Sequence, residues 1–170
     1  MIHLLIIADD FTGALDTGVA FAACGIRTRV VVDPDADLSA CDTRVLVVDT
    51  ETRHVPAAQA YKTVYELTWR AKEAGVSYIY KKTDSALRGN IGAELAAILE
   101  AGGCRRLPFL PAFPQTGRIT RGGVHYVDGV PVAESIFGQD PFEPVTVSFL
   151  PDILRSQTEK PTVIHRLSGD

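Results

Sequence analysis

Apolar and polar positions along this chain fall into two kinds of stretch. Some are short unbroken apolar runs; in others apolar residues recur every three or four positions. The run HLLIIA at 3–8 is of the first kind and predicts a strand buried on both faces. Thr12 then offers an N-cap, and Leu15, Val19, Ala22 and Ala23 keep helical spacing until Gly25. TRVVV at 28–32 and RVLVVD at 44–49 predict two further strands, separated by a loop bearing Pro and Asp. Pro56, as a first helical residue, opens a stripe of Ala60, Val64, Leu67, Ala71 and Ala74 that Gly75 ends, and VSYIYK at 76–81 returns to strand. Asn90 caps a third helix with Ile91, Leu95, Ile98 and Leu99 on one face, stopped by Gly102-Gly103, and LPFLPA at 107–112 predicts the strand after it.

Strands alternating with helices in this way predict an α/β fold: a largely parallel, doubly wound sheet with helices on both faces. Right-handed crossovers then put ligands at the carboxyl ends of the strands. From residue 114 the texture changes to Gly, Pro and short β-prone pieces. The Asp128-Gly129 pair predicts a turn and makes 119–133 a small β-hairpin excursion from the main sheet. The end, PTVIHRLSGD at 161–170, reads as a strand with no helix after it. Residues 1–170 are therefore expected to form one domain, incomplete at its C-terminal end, inside a larger protein. No internal repeat or low-complexity segment interrupts it.

Composition narrows the partners. At 170 residues and 46% hydrophobic content the chain is long enough for one buried core. Its 17 Lys and Arg against 21 Asp and Glu leave a formal charge of −4, with no broad basic surface for a nucleic-acid backbone. Three cysteines at wide spacing, Cys24, Cys41 and Cys104, spell neither a disulfide framework nor a metal clip, which fits a reducing cytoplasm. The apolar start is too short for a membrane span and runs straight into acidic residues.

Four segments could carry chemistry, each placed where a strand ends. Asp9-Asp10-Phe11-Thr12-Gly13 sets two carboxylates beside the free N–H groups of a helix start, suited to substrate hydroxyls; its plain structural alternative is a helix cap. Asp49-Thr50-Glu51-Thr52-Arg53-His54 offers the planar donor fork of Arg53 to a carboxylate, or a surface ion pair. Lys81-Lys82-Thr83-Asp84-Ser85-Ala86-Leu87-Arg88-Gly89-Asn90 crowds cations, hydroxyls and a carboxylate into one connection. It could hold an anion, or Lys82 and Arg88 could simply pair with Asp84 and Glu94. Pro114-Gln115-Thr116-Gly117-Arg118 is a further anion contact or a plain turn. There is no GxxxxGK[ST] phosphate loop, no GxGxxG fingerprint, no HExxH and no GxSxG elbow, and no metal-ligand set is expected.

Together these segments resemble the four-carbon acid sugar kinase family of threonate, erythronate and 3-oxo-tetronate kinases. The matching pieces are IADDFTGALDTG at 7–18, VDTETRH at 48–54, YKKTDSALRGNIGAEL at 80–95, PAFPQTGRITRGGVHYVDGVPVAES at 111–135 and DPFEP at 140–144. Ala86 departs from the family pattern, which has Thr there. The resemblance implies a first domain that binds the sugar acid and a separate C-terminal domain that binds ATP with Mg²⁺, neither cofactor being bound by this chain alone. It puts Asp9, Asp10, Thr12, Arg53, Lys82, Thr83, Asp84 and Ser85 on the substrate side, with Arg88 and Arg118 in support, and it allows a homodimer.

On that basis Arg53 and Lys82 are expected to grip the carboxylate of the acid. Asp10, or else Asp84, would orient or deprotonate a terminal hydroxyl. Two other readings stay open at this point: a sugar-acid-binding or regulatory module without phosphoryl transfer, and an α/β domain whose anion loops hold a nucleotide.

Overall fold

The computed structural model describes residues 1–141 and 143–165. Four of its strands, β1 (Leu4–Ala8), β2 (Thr28–Val31), β3 (Val45–Asp49) and β4 (Tyr78–Lys82), make an all-parallel sheet in the order β2-β3-β1-β4. The central strand is in register with both neighbours, so Ala8 lies opposite Asp49 on one side and Lys82 on the other. The ends of β1, β3 and β4 thus stand level, and the loops leaving them converge.

Helices cover both faces, as the pattern predicts, and the alternation of side chains along β1 and β3 shows how. Leu5, Ile7, Leu46 and Val48 pack under Val64, Leu67 and Ala71 of α2 (Ala57–Glu73) and Ala97 and Ile98 of α3 (Ile91–Gly102). Ile6, Ala8, Val45 and Val47 pack under Ala14 and Phe21 of α1 (Phe11–Ala23). Successive side chains of a strand point to opposite faces, so a strand sandwiched between helices must be apolar at every position.

The excursion is a three-stranded antiparallel sheet of β5 (Arg118–Arg121), β6 (Val124–Val127) and β7 (Val130–Pro131). Asp128 and Gly129 turn between β6 and β7 with φ of 51° and 82°, the left-handed pair that a tight two-residue hairpin needs. This small sheet joins α3 and a short helix α4 (Leu150–Arg155) around Leu87, Ile91, Leu95, Val127, Val132 and Ile153.

Several local expectations are corrected. The cap of α1 is Asp10, not Thr12: the chain leaves β1 extended, and the Asp10 carboxylate accepts from the Gly13 N–H at 2.9 Å. Pro56 is the cap residue before α2, not its first helical residue. Asn90 does precede α3, but its amide donates to the carbonyls of Thr52 and Val55, both at 2.8 Å, and the side chain of Gln157 accepts from Gly92 N–H instead. Segment 107–112 is not a strand, because Pro108 and Pro111 have no N–H to give a ladder; Leu107 and Phe109 still pack against the core. The closing strand has no counterpart in 161–165, and 166–170 lie outside the described residues. The sequence reading also passed over α4, whose Pro151 and Asp152 are ordinary first-turn residues set in a Pro-rich stretch.

Candidate functional site

Arg53 is the hub where the three level strand ends meet. The loop after β3 is tied to β1 by backbone bonds from Thr50 and Arg53 N–H to the carbonyls of Ala8 and Asp9, at 2.9 and 3.2 Å. That tie turns the Arg53 side chain inward, where it is only 8% exposed. Its Nε donates to Asp9 Oδ2 at 2.8 Å, its Nη1 donates to Asp10 Oδ2 at 2.7 Å, and its Nη2 stands 3.9 Å from Asp84 Oδ1. Burial alone would lower the guanidinium pKa, but Asp9, Asp84 and Asp10 outweigh it and hold the group above its ordinary value. Gly89, at φ 85°, lies so close that a Cβ there would sit 2.9 Å from Arg53 Cγ.

Asp84 is held by a second arginine. Its Oδ2 accepts from the Nε of Arg88 at 2.7 Å and from the Arg88 N–H at 3.1 Å, while Oδ1 accepts from Nη2 at 3.2 Å. Burial pushes the Asp84 carboxyl up, but Arg88 and Arg53 together bring it below the usual carboxylate value. The Arg88 and Arg118 guanidiniums both lie against the Phe137 ring, 5.3 and 5.7 Å from its centre, and Arg118 Nε is buried without a hydrogen-bond partner. Arg88 also faces Asp140, at 3.9 Å.

Lys82 reaches over the start of α1. Its Nζ would be 3.1 Å from a Cβ at Gly13, and it donates to the Thr83 carbonyl at 2.7 Å. Gly13 therefore keeps open a gap between the Asp10 carboxylate and the Lys82 ammonium. Thr83 is buried, Thr12 lies exposed in the first turn of α1, and Ser85 lends its carbonyl to His125 Nε2 at 2.8 Å. A cavity of about 310 Å³ opens beside the hub, with Arg53, His54, Arg88, Asn90 and Glu143 in its wall. A larger one of about 510 Å³, between α2 and α3, includes none of the hub residues.

Nine of the ten sequence-nominated residues thus gather around or beside the strand ends, and Arg118 joins them through Phe137. The structure also resolves the ion-pair alternative. Arg88 does pair with Asp84, whereas Glu94 takes Lys81, not Lys82, at 2.7 Å. Asp49 and Thr52 lie inside one of the chemistry-bearing segments without being singled out, Glu94 enters the sequence analysis only as an ion-pair partner, and His125 has no role in it. All four are buried, and only the polarity of Asp49 and Thr52 at a strand end gave a signal. Asp49 Oδ2 has no hydrogen-bond partner, and burial pushes this carboxyl up to about 6, with Glu51 beside it. Among the described residues no group of three or more His, Cys, Asp or Glu is arranged to hold a metal ion, and no helix is long and apolar enough to cross a membrane.

The same fold recurs in known proteins. Over 159 residues the chain is 40% identical to D-threonate kinase of Salmonella typhimurium, covering 93% of this chain and 37% of that protein. It is 35% identical to D-erythronate kinase of Heliobacterium modesticaldum, covering 94% of this chain and 37% of that one. The crystal structure of a domain of unknown function from Bordetella bronchiseptica, a domain-swapped dimer with bound citrate, superimposes with a TM-score of 0.83 at 40% identity, over 90% of this chain and 39% of that one. A crystal structure from Salmonella typhimurium titled a putative tRNA synthase superimposes with a TM-score of 0.85 at 29% identity, over 94% of this chain and 39% of that one. The chain spans less than two-fifths of the length of these relatives. Residues 4–168 match the family described as the sugar-binding N-terminal domain, and the chain belongs to that family.

Proposed function

We propose that this chain is the acceptor-binding part of an ATP-dependent kinase that phosphorylates a hydroxyl of a four-carbon sugar acid. The observation that carries the reading is the hub: two carboxylates, Asp9 and Asp10, locked to one buried arginine at the carboxyl end of a parallel sheet. Carboxylates in fixed positions accept hydrogen bonds from sugar hydroxyls, and Lys82 and the Nη2 edge of Arg53 attract the carboxylate of the acid. Two of the three Arg53 donor groups are committed to Asp9 and Asp10, so its first task is to hold them, and Lys82 takes the larger share of the substrate charge. Asp10 or Asp84 orients the reacting hydroxyl and receives its proton.

In this reading ATP and Mg²⁺ belong to a separate nucleotide-binding domain, and the part assigned here is binding and orienting the acceptor. The citrate of the Bordetella structure, a hydroxylated carboxylic acid, supports an acid ligand, and its swapped dimer supports a homodimer. The free thiols Cys24, Cys41 and Cys104 go with a reducing, cytoplasmic setting.

Calorimetric titration of the chain with D-threonate, D-erythronate and Mg·ATP, run separately, tests the reading. Binding of one acid, lost in Arg53→Ala, with no heat from Mg·ATP, is the expected result. Binding of Mg·ATP alone would transfer these loops to the nucleotide side.

A further inference from the structure

Asp9, Arg53 and Asp84 come from three different strand ends, and a chain of buried polar contacts links those ends. At one end Thr50 Oγ1 donates to the carbonyl of Ala8, the last residue of β1, at 2.7 Å. Thr52 Oγ1 donates to Glu94 Oε1 in the first turn of α3, so the Thr50 and Thr52 hydroxyl oxygens touch at 2.7 Å with both of their protons already committed. The other oxygen of Glu94 meets Lys81 Nζ at 2.7 Å, and Lys81 Nζ donates to the carbonyl of Lys82, the last residue of β4, again at 2.7 Å.

The chain thus runs from the end of β1, through the loop after β3, to the end of β4. Each of its anchor points adjoins a hub residue: Ala8 precedes Asp9, Thr52 precedes Arg53, and Lys82 leads into Thr83 and Asp84.

The Lys81 and Glu94 side chains are 2% and 1% exposed. An ion pair so deeply buried adds little stability over an apolar pair of the same size, because both charges give up their hydration. What such a network does supply is geometry: the hydroxyl protons of Thr50 and Thr52 are each directed at one fixed acceptor, and the Lys81 ammonium at two. The hub needs that, since Arg53 reaches Asp9 and Asp10 together only if β1 and the loop after β3 keep a fixed offset.

We propose that Thr52 and Glu94 are positioning residues of the acceptor site, which set the offset between the ends of β1, β3 and β4 and so the spacing of Asp9, Asp10, Arg53 and Asp84. This role rests on the acceptor-site reading above, but it concerns residues that lie beneath the site and do not reach the substrate.

The test uses the whole chain and two readouts. Thr52→Val keeps the volume and removes the hydroxyl, and Thr52→Ser restores the hydroxyl. Amide hydrogen exchange is followed at Asp9–Asp10 and Thr83–Asp84, and D-threonate binding by calorimetry. Thr52→Val is expected to speed exchange at both places together and to weaken binding about 10-fold or more, with the unfolding midpoint within a few degrees of the parent; Thr52→Ser recovers both readouts.

Glu94→Gln gives a second route, because it keeps an acceptor for Thr52 while removing the charge opposite Lys81, and its exchange should rise first at Thr83–Asp84. Faster exchange confined to residues next to Thr52, or a Thr52→Ser variant no better than Thr52→Val, would overturn the proposal. A parent chain that does not bind D-threonate would overturn the acceptor reading alone, and the exchange pattern would still decide whether the strand ends are coupled.

Discussion

Arg53 Nε and Asp9 Oδ2 are 2.8 Å apart in a site where their side chains are only 8% and 4% exposed, although 44 positions separate them in sequence. Removing the arginine leaves Asp9 buried and unpaired and Asp10 without its second partner. Arg53→Ala should therefore cost about 3–5 kcal/mol of stability in urea unfolding. Arg53→Lys should recover only part of it, because one ammonium cannot reproduce the fork that reaches both carboxylates.

Asp49 carries a pH dependence of the less common sign. Burial pushes its carboxyl up to about 6, and the charged groups facing it, Glu51 and Asp10, are both acidic. The folded pKa exceeds the unfolded one, so the stabilising contribution is complete below the unfolded value of about 4 and is lost as pH rises through 6. Asp49→Asn should raise stability at pH 8 by up to about 3 kcal/mol and change it little at pH 4. Thermal unfolding of both proteins across that range measures the difference.

His125 works in the opposite direction. Burial lowers its pKa, against the raising effect of the Ser85 carbonyl, so the neutral ring is the folded form. Its contribution is whole above the unfolded value of about 6.5 and is lost as pH falls below it. His125→Gln should flatten the acid limb of the stability profile below pH 6.5. An unchanged slope between pH 6.5 and 5 would mean that some other group sets it.

Gly13→Ala separates helix propensity from site geometry. In an open helix, alanine would gain about 1 kcal/mol over glycine. Here the new Cβ meets Asp10 Oδ1 at 2.7 Å and Lys82 Nζ at 3.1 Å. The lysine can swing away, but Asp10 is held by both Gly13 N–H and Arg53. The substitution should give no net gain in melting temperature and should weaken sugar-acid binding by displacing Lys82.

By itself the sequence determined the layered α/β plan, because a strand covered on both faces must be apolar at every position, as HLLIIA and RVLVVD nearly are. It also determined the turn at Asp128-Gly129 and the clustering of chemistry after strands, since turn residues and polar strand ends are local features. It misjudged 107–112, where apolar content outweighed the two prolines, and the cap of α1, where Asp10 and Thr12 are both acceptable caps. Only the packed structure decided which acid answers which base. Arg53 could have faced solvent or a ligand, Glu94 could have paired with either lysine, and Asp49 and His125 bear no mark of their burial. Those outcomes depend on the offset between strands that are far apart in the chain, a distance that periodicity and local propensity do not encode.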